Sequence, residues 1–133
     1  EAYVKGTVMS GLSAGAICWF KYGASNSWRF NNPYAPMIKV SGLGLVDAVF
    51  CPHYNDEEYG GEHLRDLLIR TRKRTIAIDE CCAIEIVDDE YRIISSEDSA
   101  NAYLIYWEKG VFRKDLLPKT EKYAGMANLL QGV

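Results

Sequence analysis

The chain has 133 residues, of which 48% are hydrophobic and 25% are charged, and these values suit one globular domain with its own core. Its net charge of −3 gives no reason to expect nucleic acid or a membrane as a partner, and no apolar stretch is long enough to span a bilayer. The four cysteines lack the spacing of zinc or redox motifs, so we expect free, mostly buried thiols in a cytoplasmic protein.

Strands and helices alternate in the first half of the chain. Residues 6–10 are predicted to form a short buried strand, and residues 14–22 a helix, because apolar side chains recur there at the helical spacing. A second apolar strand is interrupted by Pro52. Residues 55–74 are predicted to be helical, and the paired glycines at 60–61 favour a helix that begins only after them.

The second half of the chain is dominated by predicted strands. Residues 75–80, 82–95 and 101–113 are rich in β-branched and aromatic residues, and turn-forming residues within the last two segments predict two hairpins. A loop and a short helix are expected after Pro118. This order predicts an α/β domain whose sheet is parallel first and acquires antiparallel strands later.

The segment Gly11-Leu12-Ser13-Ala14-Gly15 lies between the first predicted strand and the first predicted helix. A G-x-S-x-G sequence in that context is typical of a nucleophile elbow, in which small residues permit a sharp turn and expose the serine hydroxyl. The N–H of Ala14 begins the helix and is predicted to face a developing oxyanion. The alternative is an ordinary strand-to-helix turn with a capping serine.

A serine nucleophile needs a base, and the chain offers two histidines. His63 lies in the polar helix, where a solvated surface position is the simpler interpretation. His53 follows the apolar strand that ends near Pro52, so it shares a sheet edge with Ser13 if the two strands are parallel. We therefore predict that His53 is the general base, with a purely structural histidine as the alternative.

A catalytic imidazole also needs a group that fixes its tautomer. Asp47 is the one acid between Ser13 and His53 in the sequence, whereas Asp79 and Glu80 follow another apolar strand and also end near the sheet edge. Spacing alone does not choose among these three acids.

The segments GLSAGAICWF, GASNSW, GLGLVDAVFCPHYN and TIAIDECCAIEI, in this order, resemble the dipeptidase E and cyanophycinase family of serine peptidases. The resemblance runs over about residues 4–107 and implies a flavodoxin-like, three-layer α/β sandwich related to class I glutamine amidotransferases. It also implies that Ser13 is the nucleophile, at a position where amidotransferases carry cysteine, and that His53 is the catalytic histidine. Neither a metal nor an organic cofactor is expected.

Two departures from the family pattern bear on function. Asn26, in the segment SNS, matches a position where the family often carries an acid, so the resemblance implies Asn26 as the third catalytic residue. Family members also have an N-terminal half that supplies a second oxyanion-hole amide. We therefore expect residues 1–133 to be the C-terminal portion of a peptidase domain that pairs with another chain, either a second copy or the missing half.

The expected function is hydrolysis of small peptides with an aspartyl residue at the scissile bond, a substrate class implied by the resemblance. Arg29 and Arg65 are candidate partners for an acidic substrate, with solvated surface arginines as the alternative. One rival is a weak or inactive relative that binds peptides or assembles with a partner. Another is an α/β-hydrolase esterase, which the 40-residue interval between Ser13 and His53 disfavours.

Overall fold

A computed structural model of the chain describes residues 1–131. In chain order its elements are α1 (Ala14–Ile17), β1 (Phe20–Ser25), β2 (Ile38–Ser41), β3 (Val46–Cys51), α2 (Gly61–Thr71), β4 (Thr75–Ile78), β5 (Cys82–Val87), β6 (Glu90–Ser95), β7 (Ala102–Glu108), β8 (Val111–Leu117), β9 (Ala124–Gly125) and α3 (Met126–Leu130). A short 3₁₀ turn, Ser27–Phe30, follows β1.

Six of these strands form one mixed sheet in the order β2-β1-β3-β4-β7-β8. Strands β1, β3 and β4 are parallel neighbours at its centre, and β2, β7 and β8 pair antiparallel at the two sides. Strands β5, β6 and β9 form a separate small antiparallel sheet. The prediction of an α/β domain is confirmed, and the parallel strands β1, β3 and β4 precede β5 to β9, but the antiparallel strand β2 was not predicted and comes second.

Apolar residues cover both faces of the six-stranded sheet. Alternate residues of β3 point to opposite faces, so Phe50 stacks on Phe20 with ring centroids 4.6 Å apart while Val49 packs toward α2. Three leucines of α2 fill that second face: Leu64, Leu67 and Leu68. The first face is covered by the small sheet, α1 and α3. This two-sided burial fixes the register of the central strands and therefore the positions of the loops that follow them.

The first predicted strand is absent, and the first predicted helix is shorter than predicted. Residues 6–10 form no strand, and Val8 is 88% exposed; within residues 1–131 no strand pairs with this segment, and a strand needs a partner for its backbone groups. Helix α1 ends at Ile17 because Phe20–Ser25 enters the sheet between β2 and β3. Tertiary pairing overrides the helical spacing of the apolar residues there.

The later elements follow the predictions closely. Helix α2 begins at Gly61, after the paired glycines, and both hairpins form. Lys109 and Gly110 have φ values of 48° and 79°, the positive pair that a two-residue hairpin turn of the favoured type requires. Among the described residues no helix is long and apolar enough to cross a membrane.

All four thiols are free, but most of them are not buried. Cys18 and Cys81 are exposed, Cys82 is half-buried, and Cys51 alone lies in the core. Burial raises the pKa of Cys51 to about 12. The expectation of free thiols is confirmed, and the expectation that most are buried is wrong.

Candidate active site

Three side chains from separate parts of the sequence meet at the carboxyl ends of β3 and β4. The Oγ of Ser13 lies 2.8 Å from the Nε2 of His53, and the Nδ1 of His53 lies 3.0 Å from the Oε1 of Glu80. The His53 side chain is 32% exposed and the Glu80 side chain 61%. A hydroxyl, an imidazole and a carboxylate are thus joined in one hydrogen-bonded path open to solvent.

Ser13 is held at a sharp turn immediately before α1. Its backbone has φ 51° and ψ −117°, a sparsely populated conformation for a residue with a side chain, which costs on the order of 1–3 kcal/mol. The Ser13 carbonyl nevertheless begins the helix, since it accepts from the N–H groups of Ala16 and Ile17 at 3.0 and 3.1 Å. Surrounding structure must stabilise this strained residue.

Gly11 allows the turn at Ser13 to close. A Cβ added at Gly11 would lie 2.2 Å from the carbonyl oxygen of Gly15 and 2.8 Å from the backbone nitrogen of Ala16. The first turn of α1 therefore packs directly on the backbone of Gly11, where any side chain would push it away.

His53 is presented by the loop that follows β3. Pro52 ends the strand, His53 adopts a positive φ of 53°, and its carbonyl accepts from the N–H of Asp56 at 2.9 Å. The ring of Tyr59 lies beside the imidazole, with centroids 5.3 Å apart. Tyr59 was not foreseen from the sequence, because its place just before the paired glycines gave no signal of this contact.

Glu80 is the acid that the structure places against His53. Its neighbour Asp79 is buried, accepts from the N–H of Asn101 at 2.9 Å, and so closes the junction between β4 and β7. Adjacent residues leave an extended strand on opposite sides, so one of the two acids turns inward and the other toward the imidazole.

Asp47 lies at the other end of β3 from His53. Its carboxylate is bound by Lys73 at 2.8 Å and by Lys21 at 3.4 Å. The hydrogen bond from Lys73 lowers the pKa of Asp47 below its usual value. The four steps along β3 from Asp47 to Cys51 already span roughly 13 Å, and His53 follows beyond that end of the strand.

Asn26 does not contact the imidazole, which corrects the role that the family resemblance implied for it. Its Nδ2 donates to the Oε2 of Glu58 at 3.3 Å, at the start of the 3₁₀ turn after β1. Strand β1 flanks β3 on one side and β4 flanks it on the other. The partner of the His53 Nδ1 comes from the β4 side, so Glu80 occupies the position assigned to Asn26.

Of the two candidate arginines, only Arg29 lies near this edge of the sheet. Its Nε donates to the carbonyl of Ala35 at 2.9 Å, and its Nη1 lies 3.7 Å from the carboxylate of Glu58. Arg65 and His63 lie on the exposed side of α2. A cleft of about 240 Å³ is lined by Arg29 together with Asn26, Phe30, Pro33 and Glu58.

The remaining candidate, Ala14, is the first residue of α1, and its N–H is one of the donors that the first turn of a helix leaves without an intrahelical partner.

Within residues 1–131 no group of three or more histidine, cysteine, aspartate or glutamate side chains is arranged to hold a metal ion. The site thus offers a hydroxyl beside a base, a carboxylate behind that base and a backbone donor next to the hydroxyl. Such a set is able to activate an oxygen nucleophile.

Comparison with known proteins gives a family match and a similar relative. The model of peptidase family S51 matches residues 1–94. The chain is also 30% identical over 127 residues to a Bacillus subtilis (strain 168) protein described as "Uncharacterized peptidase YgaJ". That alignment covers 94% of the chain and 52% of YgaJ, so the chain spans about half the length of this curated relative.

These matches give no support to an esterase or to a binding module without catalysis. They confirm the resemblance to the dipeptidase E and cyanophycinase family that the sequence segments indicate. The chain therefore belongs to peptidase family S51.

Proposed function

We propose that the chain carries the catalytic residues of a serine-type peptidase. The observation that carries this proposal is the hydrogen-bonded path from Ser13 through His53 to Glu80, with lengths of 2.8 and 3.0 Å. Membership of a peptidase family supports an amide bond as the target. The strained backbone of Ser13 supports a catalytic role as well, since such conformations cluster at active sites.

In the first half of the reaction, the Oγ of Ser13 attacks the carbonyl carbon of the scissile peptide bond. The Nε2 of His53 accepts the hydroxyl proton as the new C–O bond forms. The carbon–nitrogen bond then breaks, and the imidazolium returns the proton to the leaving amine. The products of this half are the free amine and an ester between the acyl group and Ser13.

In the second half, water attacks the ester carbonyl while His53 takes one of its protons, and the Ser13 oxygen leaves as the hydroxyl. The acid product and the starting enzyme result. In both halves negative charge develops on the carbonyl oxygen, and the N–H of Ala14 stabilises it as one donor of an oxyanion hole. The other donor, in this proposal, comes from a segment outside the chain.

Glu80 holds the imidazole and offsets its charge. With a carboxylate 3.0 Å away, the Nδ1 of His53 carries the proton and leaves Nε2 free to accept from Ser13. A carboxylate also stabilises the imidazolium that forms, which an amide such as Asn26 does not do. The exposure of Glu80 limits this stabilisation, because water screens the pair.

Small peptides with an aspartyl residue at the scissile bond are the proposed substrates. Arg29 supports this choice because its guanidinium lines the cleft beside the His53 loop. Its Nε and Nη1 already donate to the carbonyls of Ala35 and Glu58, so the proposal assigns the substrate carboxylate to the remaining N–H groups of the guanidinium. Arg65 lies on the exposed side of α2 and does not line this cleft, so the proposal assigns it no role.

The proposal also covers the fold of the whole domain and the cellular location of the protein. Parallel strands β1, β3 and β4, with α2 between β3 and β4, support a flavodoxin-like three-layer sandwich of which the chain forms the C-terminal portion. Four free thiols support a reducing, cytoplasmic location.

The experiment compares Ser13→Ala with Ser10→Ala, an exposed serine three residues earlier. We expect Ser13→Ala to lower kcat for aspartyl dipeptides by about 10⁴-fold or more and Ser10→Ala to leave it unchanged. Activity retained in Ser13→Ala would refute the nucleophile. Equal kcat/KM for substrates with asparagine in place of aspartate would refute the specificity alone.

A further inference from the structure

The loops that carry His53 and Glu80 are joined beyond the end of the sheet. Pairing between β3 and β4 ends at Cys51 and Ala77. After it, the N–H of Tyr54 donates to the carbonyl of Ile78 at 3.0 Å, and the N–H of Glu80 donates to the Oδ1 of Asn55 at 2.9 Å. The second bond uses a side chain, so it depends on the identity of residue 55.

The residues on either side of Glu80 have their own hydrogen bonds, since the N–H of Asp79 donates to the carbonyl of Asn101 at 2.9 Å and the carbonyl of Cys81 accepts from the N–H of Ser96 at 2.9 Å. Asn55 is the group that binds the N–H of Glu80 itself. The side chain of Glu80 is 61% exposed, and Cys81 directly after it has a positive φ of 62°, so the chain reverses just past the carboxylate. His53 also stands on a loop with a positive φ. Residues on loops hold catalytic geometry only where neighbouring groups fix them.

The orientation of the Asn55 side chain follows from the chemistry of its partner. A backbone N–H only donates, so the atom that faces Glu80 is the amide oxygen rather than the amide nitrogen. Asn55 stands two residues after His53 in the same loop. One side chain therefore connects the backbone of the acid to the loop of the base.

We propose that Asn55 is a positioning residue for the catalytic pair. This inference rests on the proposed function, in which Glu80 orients His53. Asn55 holds the backbone of Glu80 so that Oε1 stays 3.0 Å from the Nδ1 of His53. It contacts neither Ser13 nor a substrate group in this role, so its loss affects the rate of reaction and not the binding of substrate.

A double-mutant cycle between Asn55 and Glu80 tests the inference. We expect Asn55→Ala to lower kcat by about 10- to 100-fold with little change in KM, because a displacement near 1 Å costs about that much. In a Glu80→Ala background the same substitution should change kcat by less than about twofold, since the group it positions is gone. Thermal unfolding of each variant reports folding.

Two further variants define the cause. Asn55→Asp keeps an oxygen acceptor for the N–H of Glu80 and should restore kcat to within about threefold of the wild type. Asn128→Ala removes the same side chain from α3, which contacts the start of β4 rather than its end, because the Nη1 of Arg74 donates to the carbonyl of Leu129 at 3.3 Å. It should leave kcat unchanged.

Equal losses from Asn55→Ala in both backgrounds would overturn the inference, because they would show a structural effect independent of Glu80. A loss in Asn55→Asp as large as in Asn55→Ala would overturn the hydrogen bond as its basis. If Glu80→Ala alone leaves kcat unchanged, the proposed role of Glu80 fails, and the positioning role fails with it. Each failure thus has its own signature.

Discussion

Replacing Gly11 by alanine should disable the site without touching any of its reacting groups. Gly11 contributes no side chain to the chemistry, yet its Cα faces the first turn of α1. A methyl group there would lie 2.2 Å from the carbonyl oxygen and 2.3 Å from the carbonyl carbon of Gly15. Both are backbone atoms, so no side-chain rotation relieves the clash.

The size of the effect follows from these distances. Non-bonded heavy atoms settle about 3.5 Å apart, so Gly11 and α1 must separate by about 1 Å or more. Ser13 lies between them, and its Oγ now stands 2.8 Å from the Nε2 of His53. A misplacement of about 1 Å at a reacting group costs about 100-fold in rate, and we expect kcat to fall by that factor.

Gly15→Ala is the matched control, because a Cβ at Gly15 meets nothing within 4 Å in the described structure. It should keep the wild-type rate and stabilise α1 slightly, since alanine favours helix over glycine by about 1 kcal/mol. The two variants are compared by their rates of peptide hydrolysis and by the rate at which a fluorophosphonate labels Ser13. Thermal unfolding checks that both variants fold. Equal rates in Gly11→Ala and Gly15→Ala would refute the argument that Gly11 sets the position of Ser13.

Three further predictions concern the acids and the thiols. Glu80→Gln should lower kcat by about 10³-fold or more with KM little changed, as steady-state kinetics would show. Asp47→Asn should leave kcat unchanged and cost less than about 1 kcal/mol in urea unfolding at neutral pH, because its ion pair with Lys73 is exposed. Because that pair holds the pKa of Asp47 below 3.8, its stabilisation is present above pH 3.8 and is lost as the pH falls below it, so the two proteins should then converge. A thiol reagent should modify Cys81 rapidly in the native protein and Cys51 only on unfolding, since Cys51 is buried.

The elements that depend on local signals were predictable from the sequence. Helix α2 combines a leucine stripe with a glycine pair that marks its start. The turn at Lys109 and Gly110 contains a glycine, which readily adopts the positive φ that a tight hairpin turn requires. Strand β1 was missed because its apolar spacing fits a helix, and only pairing with β2 and β3 makes it a strand. Residues 6–10 show the reverse case, since strand-like composition without a partner yields no strand.

For the site, the sequence analysis placed Ser13 and His53 at one edge through two parallel strands. Ser13 does lie beside His53, but residues 6–10 form no strand, so that reason does not hold for Ser13. The acid was not predictable by the same means. Asp79 and Glu80 are adjacent, and only the direction in which the chain leaves β4 sends Glu80 to the imidazole. Asn26 was assigned by resemblance of a short segment, and such a match carries no information on which side of β3 the partner lies.

Covalent labelling at Ser13 tests the central claim most directly. A fluorophosphonate captures only a serine whose hydroxyl is activated by a neighbouring base, and mass spectrometry of the labelled peptide identifies the residue. We predict one label per chain, on Ser13, that is lost in Ser13→Ala and strongly slowed in His53→Ala, while Ser10→Ala labels as the wild type does. Labelling at another serine, or labelling of Ser13 at an equal rate without His53, would contradict the proposed catalytic site.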